Sequence, residues 1–400
     1  MSERPFAAVN ADDLASCVAC GLCLPHCPTY RTSGDDAHSP RGRIALIAGV
    51  RDGILDLDRG VTEALDTCVQ CMGCLPACPS GVRYDRIIAP AIDDLTERRR
   101  TKRLRRTITL FPLGKPRLLR FLTFLAAISQ RLGLAPRRLG LPRLPLRTTV
   151  RRPSSIALDP TKEPVIIFSG CVMDAWYGDV HRATFEVLTS MGYSVTFSDP
   201  ALCCGALHTH AGLSAAAARF DRRARSELSG TTIVVNSAGC GAHLRDVFSV
   251  DGTAHARVVD VMEFIDENIE RLVTVCKTAS ETTRERVVVH DACHLRNIQG
   301  AHLSTHRVLV QFFDPVPIPD EGLCCGAGGA FALEQPAVAR GVVERKYEAV
   351  RSVVDSSARF ISSGNPGCLG HMTANKPSDL ARLELVHPVQ LVARMLATEE

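Results

Sequence analysis

From residue 161 onward the chain alternates short apolar runs with amphipathic stretches of helical period. "VIIFS" at 165–169, "YSVTFS" at 193–198 and "TTIVVN" at 231–236 are too short and too β-branched for helices and read as strands. "DVHRATFEVLTSM" at 179–191 and "GLSAAAARFDRRARSEL" at 212–228 carry apolar positions every three to four residues and read as helices between them. Strand–helix alternation of this kind predicts a parallel α/β sheet with covered faces.

The same pattern then recurs. "VIIFSGC", ending at Cys171, pairs with "VVVHDAC", ending at Cys293. "LCCGA" at 202–206 pairs with "LCCGA" at 323–327, and "IVVNSAGC", ending at Cys240, pairs with "ISSGNPGC", ending at Cys368. "VVDVMEFI" at 258–265 pairs with "LVHPVQLV" at 385–392. The offsets are 122, 121, 128 and 127 residues, an ordered series that one small insertion explains. Two repeated α/β domains, over 161–280 and 281–400, are therefore expected.

Residues 1–97 follow a different pattern. "NADDLAS", "RGRIALIAGVRDG", "RGVTEALD" and "YDRIIAPAIDDLTERRR" are helical, with Asn or Asp at starting positions. They surround two near-identical runs, "CVACGLCLPHCP" at 17–28 and "CVQCMGCLPACP" at 68–79. A helical ferredoxin-type domain is expected rather than the compact strand-rich kind.

Charge separates a third region. Arg98 to Arg152 holds 17 Lys or Arg and no acidic residue, against 30 basic and 43 acidic residues elsewhere. Residues 98–160 read as a basic amphipathic linker, partly helical. Arg117, Arg120 and Arg131 beside Leu118, Leu119, Phe121, Leu122 and Phe124 suit an anionic lipid surface; an acidic face of a partner protein would suit them as well. No groove-reading element for nucleic acid is recognisable. No apolar run is long enough to span a bilayer. The opening "MSERPFAAVNADDLAS" lacks the apolar stretch of a secretory signal, so a reduced cytoplasmic setting is expected, at most peripheral on the membrane.

In such a setting the 17 cysteines point to metal rather than to disulfides. The spacing C-x2-C-x2-C-x3-C-P is that of two-cluster ferredoxins, in which the fourth cysteine of each run serves the other cluster. One [4Fe-4S] cluster is therefore assigned to Cys17, Cys20, Cys23 and Cys78, the other to Cys68, Cys71, Cys74 and Cys27. Gly21 and Gly73 are expected to let backbone pass close to the clusters. Structural zinc explains three cysteines and a proline, twice over, poorly.

The repeat cysteines form two sets at predicted strand ends: Cys171, Cys203, Cys204 and Cys240, and Cys293, Cys324, Cys325 and Cys368. Carboxyl ends of parallel strands line a binding crevice, so each set is a candidate metal site, with iron–sulfur and zinc both open. Cys276 matches no repeat position and reads as core. His208, His210, His290 and His294 lie near these cysteines; each alone reads as structural, although a histidine can tune a centre through a hydrogen bond.

Taken together, "CVACGLCLPHCPTY", "SPRGRIALI", "CPSGVRYDRI", "SAGCGAH" and "LCCGAGGAFAL" resemble the iron–sulfur subunit of glycolate oxidase (glycolate dehydrogenase). The layout is also similar to the iron–sulfur subunit of anaerobic glycerol-3-phosphate dehydrogenase and to heterodisulfide reductase subunits. The resemblance implies division of labour. An FAD-containing partner oxidises a 2-hydroxy acid, glycolate first and lactate as an alternative, and this chain passes the electrons to a quinone or another acceptor. In keeping with that, no G-x-G-x-x-G follows a strand here. The alternative is a thiol–disulfide reductase like the heterodisulfide enzymes. Those carry a fifth cysteine where this chain has Ser237 and Asn365, which counts against it.

Overall fold

The structure, a computed structural model, describes residues 4–134, 144–146, 159, 161–228, 230–249, 256–276, 284–320 and 322–396. Much of the basic stretch beyond residue 134 thus lies outside the described residues.

The amino-terminal part is helical, as its pattern predicts. Asn10, Ser39 and Asp58 each accept a hydrogen bond from a first-turn amide, starting helices Ala11–Ala15, Pro40–Arg51 and Arg59–Asp66. Helix Tyr84–Arg98 turns Ile87, Ile88, Ala91, Ile92 and Leu95 into a core shared with Ile44, Ile47, Val61 and Leu65. A short helix, Pro28–Ser33, follows the first cysteine run directly, with Pro28 in its first turn.

The basic segment continues as helices Arg100–Leu110 and Pro116–Arg131. Leu110, Leu113 and Leu119 pack with Ala175, Cys203, Ala211 and Leu213 of the first repeat. Arg106 is buried and joins three parts of the chain. Its guanidinium donates to Thr96 Oγ1 at 2.7 Å, to Ala211 O at 2.8 Å and to the Glu334 carboxylate at 2.5 and 2.8 Å. Among the described residues no helix is long and apolar enough to cross a membrane.

Each repeat is a four-stranded parallel sheet with helices, as expected. Strands β1 (Pro164–Ile167), β2 (Ser194–Phe197), β3 (Thr232–Val235) and β4 (Arg257–Asp260) lie in the order β2-β1-β3-β4. Strands β5 (Arg286–Val289), β6 (Asp314–Pro317), β7 (Ala358–Ser362) and β8 (Glu384–Val386) repeat that order as β6-β5-β7-β8. The order reverses between the first and third strands of each sheet, the place where ligands bind in such folds. The fourth strands escape the sequence reading because each runs, with no loop, into a capped helix.

The two repeats share one core. Helix Val261–Glu267 of the first packs on helix His302–Leu309 of the second, and helix Pro388–Ala393 of the second packs on helix Gly178–Ser190 of the first. Val165 and Ile167 of β1 and Val287 and Val289 of β5 bury into the same cluster. Each repeat thereby covers an apolar face of the other.

Candidate metal centres

In the helical domain, Cys17, Cys20, Cys23 and Cys78 surround one cavity, and Cys27, Cys68, Cys71 and Cys74 surround a second. The fourth cysteine of each run thus stands with the three of the other. The two loops share a backbone solution. Ala19 and Gly21 in the first, and Gln70 and Met72 in the second, occupy the same loop positions at φ of 53°, 85°, 55° and 57°. Three of these are not glycine. Left-handed conformations at ordinary residues carry strain, which persists only where the surroundings impose it. At Gly73 a Cβ would stand 3.0 Å from His26 O and 3.9 Å from Cys71 Sγ, so both backbone and a candidate ligand approach it closely.

Arg43, from "SPRGRIALI", is 1% exposed. Its guanidinium donates to Ala64 O at 2.7 Å, Thr29 Oγ1 at 3.0 Å and Thr67 Oγ1 at 3.2 Å, and lies 3.9 Å from Cys27 Sγ. Burial works against its charge, but Cys68, Tyr84 and Cys27 around it hold it firmly protonated. A buried cation needs a negative partner. No carboxylate appears among these contacts, so the balancing charge would come from the cavity's cysteines when they ligate a metal centre as thiolates. Four thiols and a buried cation fit an anionic iron–sulfur cluster. The motif pointed to the cysteines; nothing in its spacing pointed to Arg43.

The strand ends carry the second group of cysteines. Cys171 opens a helix after β1, Cys203 and Cys204 follow β2, and Cys240 sits in the helix after β3. Cys293, Cys324, Cys325 and Cys368 take the same places around β5, β6 and β7. The sequence presents two separate sets, whereas the structure brings all eight to the wall of one cavity of about 350 Å³ between the repeats. Cys171 and Cys203 are 3.6 Å apart at sulfur. Contact with Cys171 and Cys204 draws Cys203 well below the ordinary thiol range, and contact with Cys293, Cys325 and Cys71 does the same to Cys324. Shared contacts and burial push Cys171, Cys204, Cys293 and Cys325 up. Thiols crowded without water cannot all ionise, and a bound metal centre removes that conflict by ligating them as thiolates.

The loop of the second cysteine run reaches into this chamber. Gln70 donates through Nε2 to His210 O at 2.8 Å in the first repeat, and its own carbonyl lies 3.0 Å from His294 Nε2 in the second. Asn297 donates to Cys71 O at 3.0 Å. The Cys71 thiol is pushed up by Cys324 first, then by burial and Cys293. Cys71 therefore lines the helical domain's cavity while its sulfur neighbours the second repeat's set. Local spacing carries no sign of this contact.

Ser237 and Asn365, the positions that lack the fifth cysteine, meet each other. Ser237 Oγ donates to Asn365 Oδ1 at 3.3 Å, Gly239 N donates to the same oxygen at 3.4 Å, and Asn365 Nδ2 lies 3.4 Å from Cys368 Sγ. A bond between the repeats thus occupies the place of two thiols. His210 is buried, and desolvation with His294 nearby lowers it to about 3. His208 is lowered by burial and packs near Cys203. Cys276 lies apart from the chamber, in a backbone bridge with Leu396, and burial raises its thiol to about 11.

Comparison with known proteins agrees with this layout. Residues 13–82 match the 4Fe-4S dicluster domain family, and residues 165–245 and 287–373 each match the cysteine-rich domain family. The chain is 31% identical to the probable glycolate oxidase iron-sulfur subunit of Bacillus subtilis, over 91% of this chain and 89% of that one. It is 28% identical to the glycolate oxidase iron-sulfur subunit of Escherichia coli, over 98% and 97%. Lactate utilization protein A of Oceanobacillus iheyensis is 25% identical over 57% of this chain and 96% of its own. With two ferredoxin runs, two cysteine-rich repeats and near full-length likeness, the chain belongs to the family of glycolate oxidase iron–sulfur subunits.

Proposed function

We propose that this chain is the electron-carrying subunit of a flavin-dependent 2-hydroxy-acid dehydrogenase, with glycolate as first substrate. Cys17, Cys20, Cys23 and Cys78 would hold one [4Fe-4S] cluster, and Cys27, Cys68, Cys71 and Cys74 the other. Cys171, Cys203, Cys204 and Cys240, and Cys293, Cys324, Cys325 and Cys368, would hold the repeat centres. Such clusters, when bound, store and release single electrons. The observation that carries the reading is the placement of Cys71, against the first domain's cavity on one side and Cys293 and Cys324 on the other. It joins one set of the helical domain to the set of the second repeat.

Arg43 keeps a fixed positive charge beside one set, which favours an added electron there. Arg106, tied to Thr96, Ala211 and Glu334, holds the domains in register so that the spacing of the sets is constant. The oxidised CH–OH group belongs to an FAD-bearing partner. The acceptor is a membrane quinone, reached through the basic helices, where Leu104, Ile108, Phe111, Phe121 and Phe124 are exposed among arginines.

Anaerobic affinity purification of the chain at native expression tests this. The expected result is a flavoprotein in fixed ratio and reduction of the brown centres on adding glycolate or lactate. A chain that purifies alone, flavin-free, and reduces disulfides at the repeat cysteines would overturn it. Pelleting with vesicles rich in anionic lipid tests the membrane part, and equal pelleting with neutral vesicles removes the charge argument.

A further inference from the structure

The repeats are aligned residue for residue where β1 and β5 end, and there they differ. Phe168 stands in the first repeat where His290 stands in the second. Phe168 is part of an apolar cluster. His290 is 2% exposed, and neither of its ring nitrogens has a hydrogen-bond partner. A buried imidazole with both nitrogens unsatisfied is costly unless something else engages it. Two cysteine sulfurs lie close to it. His290, Cys325 and Cys368 present one donor atom each, all within 4.8 Å of one another. Ligands on a single tetrahedral zinc-type ion stand about 3.8 Å apart when both are sulfur, so a small side-chain adjustment brings the three onto one ion. Cys324, adjacent to Cys325 and in contact with it, is at hand as a fourth donor.

We infer that His290 is a direct metal ligand, which gives the second repeat a mixed sulfur–nitrogen centre of zinc or iron where the first repeat has Phe168 in the same place. This rests on the reading of the repeats as metal sites. The strand geometry explains how the histidine arrives. Its amide donates to Ser362 O at 2.8 Å, locking the end of β5 to β7, the strand that leads to Asn365 and Cys368. The donor missing at Asn365 is thereby supplied from the neighbouring strand. A neutral imidazole in place of a thiolate leaves a centre with less negative charge. On iron this raises the reduction potential, as in Rieske centres, and makes the second repeat the more oxidising of the two.

The test uses the full chain, purified anaerobically with any partner that accompanies it. Metal content per chain is measured first. Coordination is then read by X-ray absorption at the zinc edge and by pulsed electron paramagnetic resonance of the reduced iron centres, with ¹⁴N and ¹⁵N-histidine protein. The expected result is nitrogen in the shell of one repeat centre. That nitrogen should vanish in His290→Phe, with at least tenfold weaker metal retention against a chelator. In His290→Cys it should be replaced by sulfur with metal retained. A zinc signal or an iron signal identifies the metal; either supports the assignment if the nitrogen depends on His290. A repeat centre with sulfur-only ligation in the parent chain, or nitrogen that survives in both variants, overturns the inference and leaves the metal reading intact. Metal content no greater than the two helical-domain clusters account for overturns both.

Discussion

The two repeats are one design carried out twice with different neighbours. Both place a cysteine after the first strand, a Cys-Cys pair after the second and a cysteine in the helix after the third. Both run the fourth strand directly into a helix that packs on the other repeat. Around that constant frame the polar residues have diverged. Phe168 faces His290 in the alignment, His208 faces Gly329, and Asp260 faces His387. The difference teaches that the strand ends define where donors converge, while the adjoining residues decide what each centre becomes.

The strongest way to break the comparison is to remove one donor at a time. Cys204→Ser is expected to abolish the first repeat's centre and spare the second, and Cys325→Ser to do the reverse. Each loss should cost the metal of one centre, seen as a stepwise fall in metal per chain. Because all eight thiols share a chamber, the comparison makes a sharp demand. If either single change empties both repeats, the chamber holds one joint centre and the repeats are not independent.

The next test concerns the helix caps. Asp260 accepts from Met262 N, and its carboxyl is raised to about 7 by burial. His387 Nδ1 accepts from Val389 N, and burial lowers the imidazole to about 3. The signs oppose. Asp260 binds a proton more tightly in the native state than its ordinary 3.8, so its stabilisation is complete below about pH 4 and is lost as pH rises towards 7. His387 binds a proton less tightly than its ordinary 6.5, so its stabilisation is complete above that and is lost as pH falls towards 3. Each amounts to on the order of 4 kcal/mol when fully titrated. Urea midpoints between pH 5 and 7 should fall less steeply with rising pH in Asp260→Asn than in the parent, and less steeply with falling pH in His387→Asn. Parallel pH profiles for parent and variants would show that neither cap titrates as its burial requires.

A smaller effect probes the seam. Asn365→Ala removes the acceptor shared by Ser237 and Gly239 and the amide beside Cys368, and should cost about 2 kcal/mol. Ser237→Ala removes one bond and should cost about 1 kcal/mol. Thermal unfolding of the two single variants and the double variant measures their coupling. Additive losses would mean that the cross-repeat bond contributes nothing of its own.

Much of this is legible in the residues. Ligand spacing in a ferredoxin loop is local, so "CVACGLCLPHCP" and "CVQCMGCLPACP" declare their chemistry without a fold. Strand and helix periods are local too, and the repeat offset exposes the second domain as a copy of the first. The fourth strands are not legible, because β4 and β8 are brief and merge with the helices they start. Gly73 reads from its motif as a site of close approach; only the fold adds that His26 O stands against it, since nothing in a sequence places that carbonyl there.

The sequence by itself determined the cysteine sets, the α/β class of the repeats and the family. These depend on contacts within a turn, a strand or a helix, whose periods are written in neighbouring residues. Tertiary structure alone decided that the repeat cysteines open on one chamber, that Cys71 reaches the second set and that Arg43 is buried beside Cys27. It also decided that Ser237 meets Asn365 and that His290 faces Cys325 and Cys368. Most of these contacts join residues tens to hundreds of positions apart. Their energy comes from closing a chain over packed faces, and no local pattern records which faces will meet.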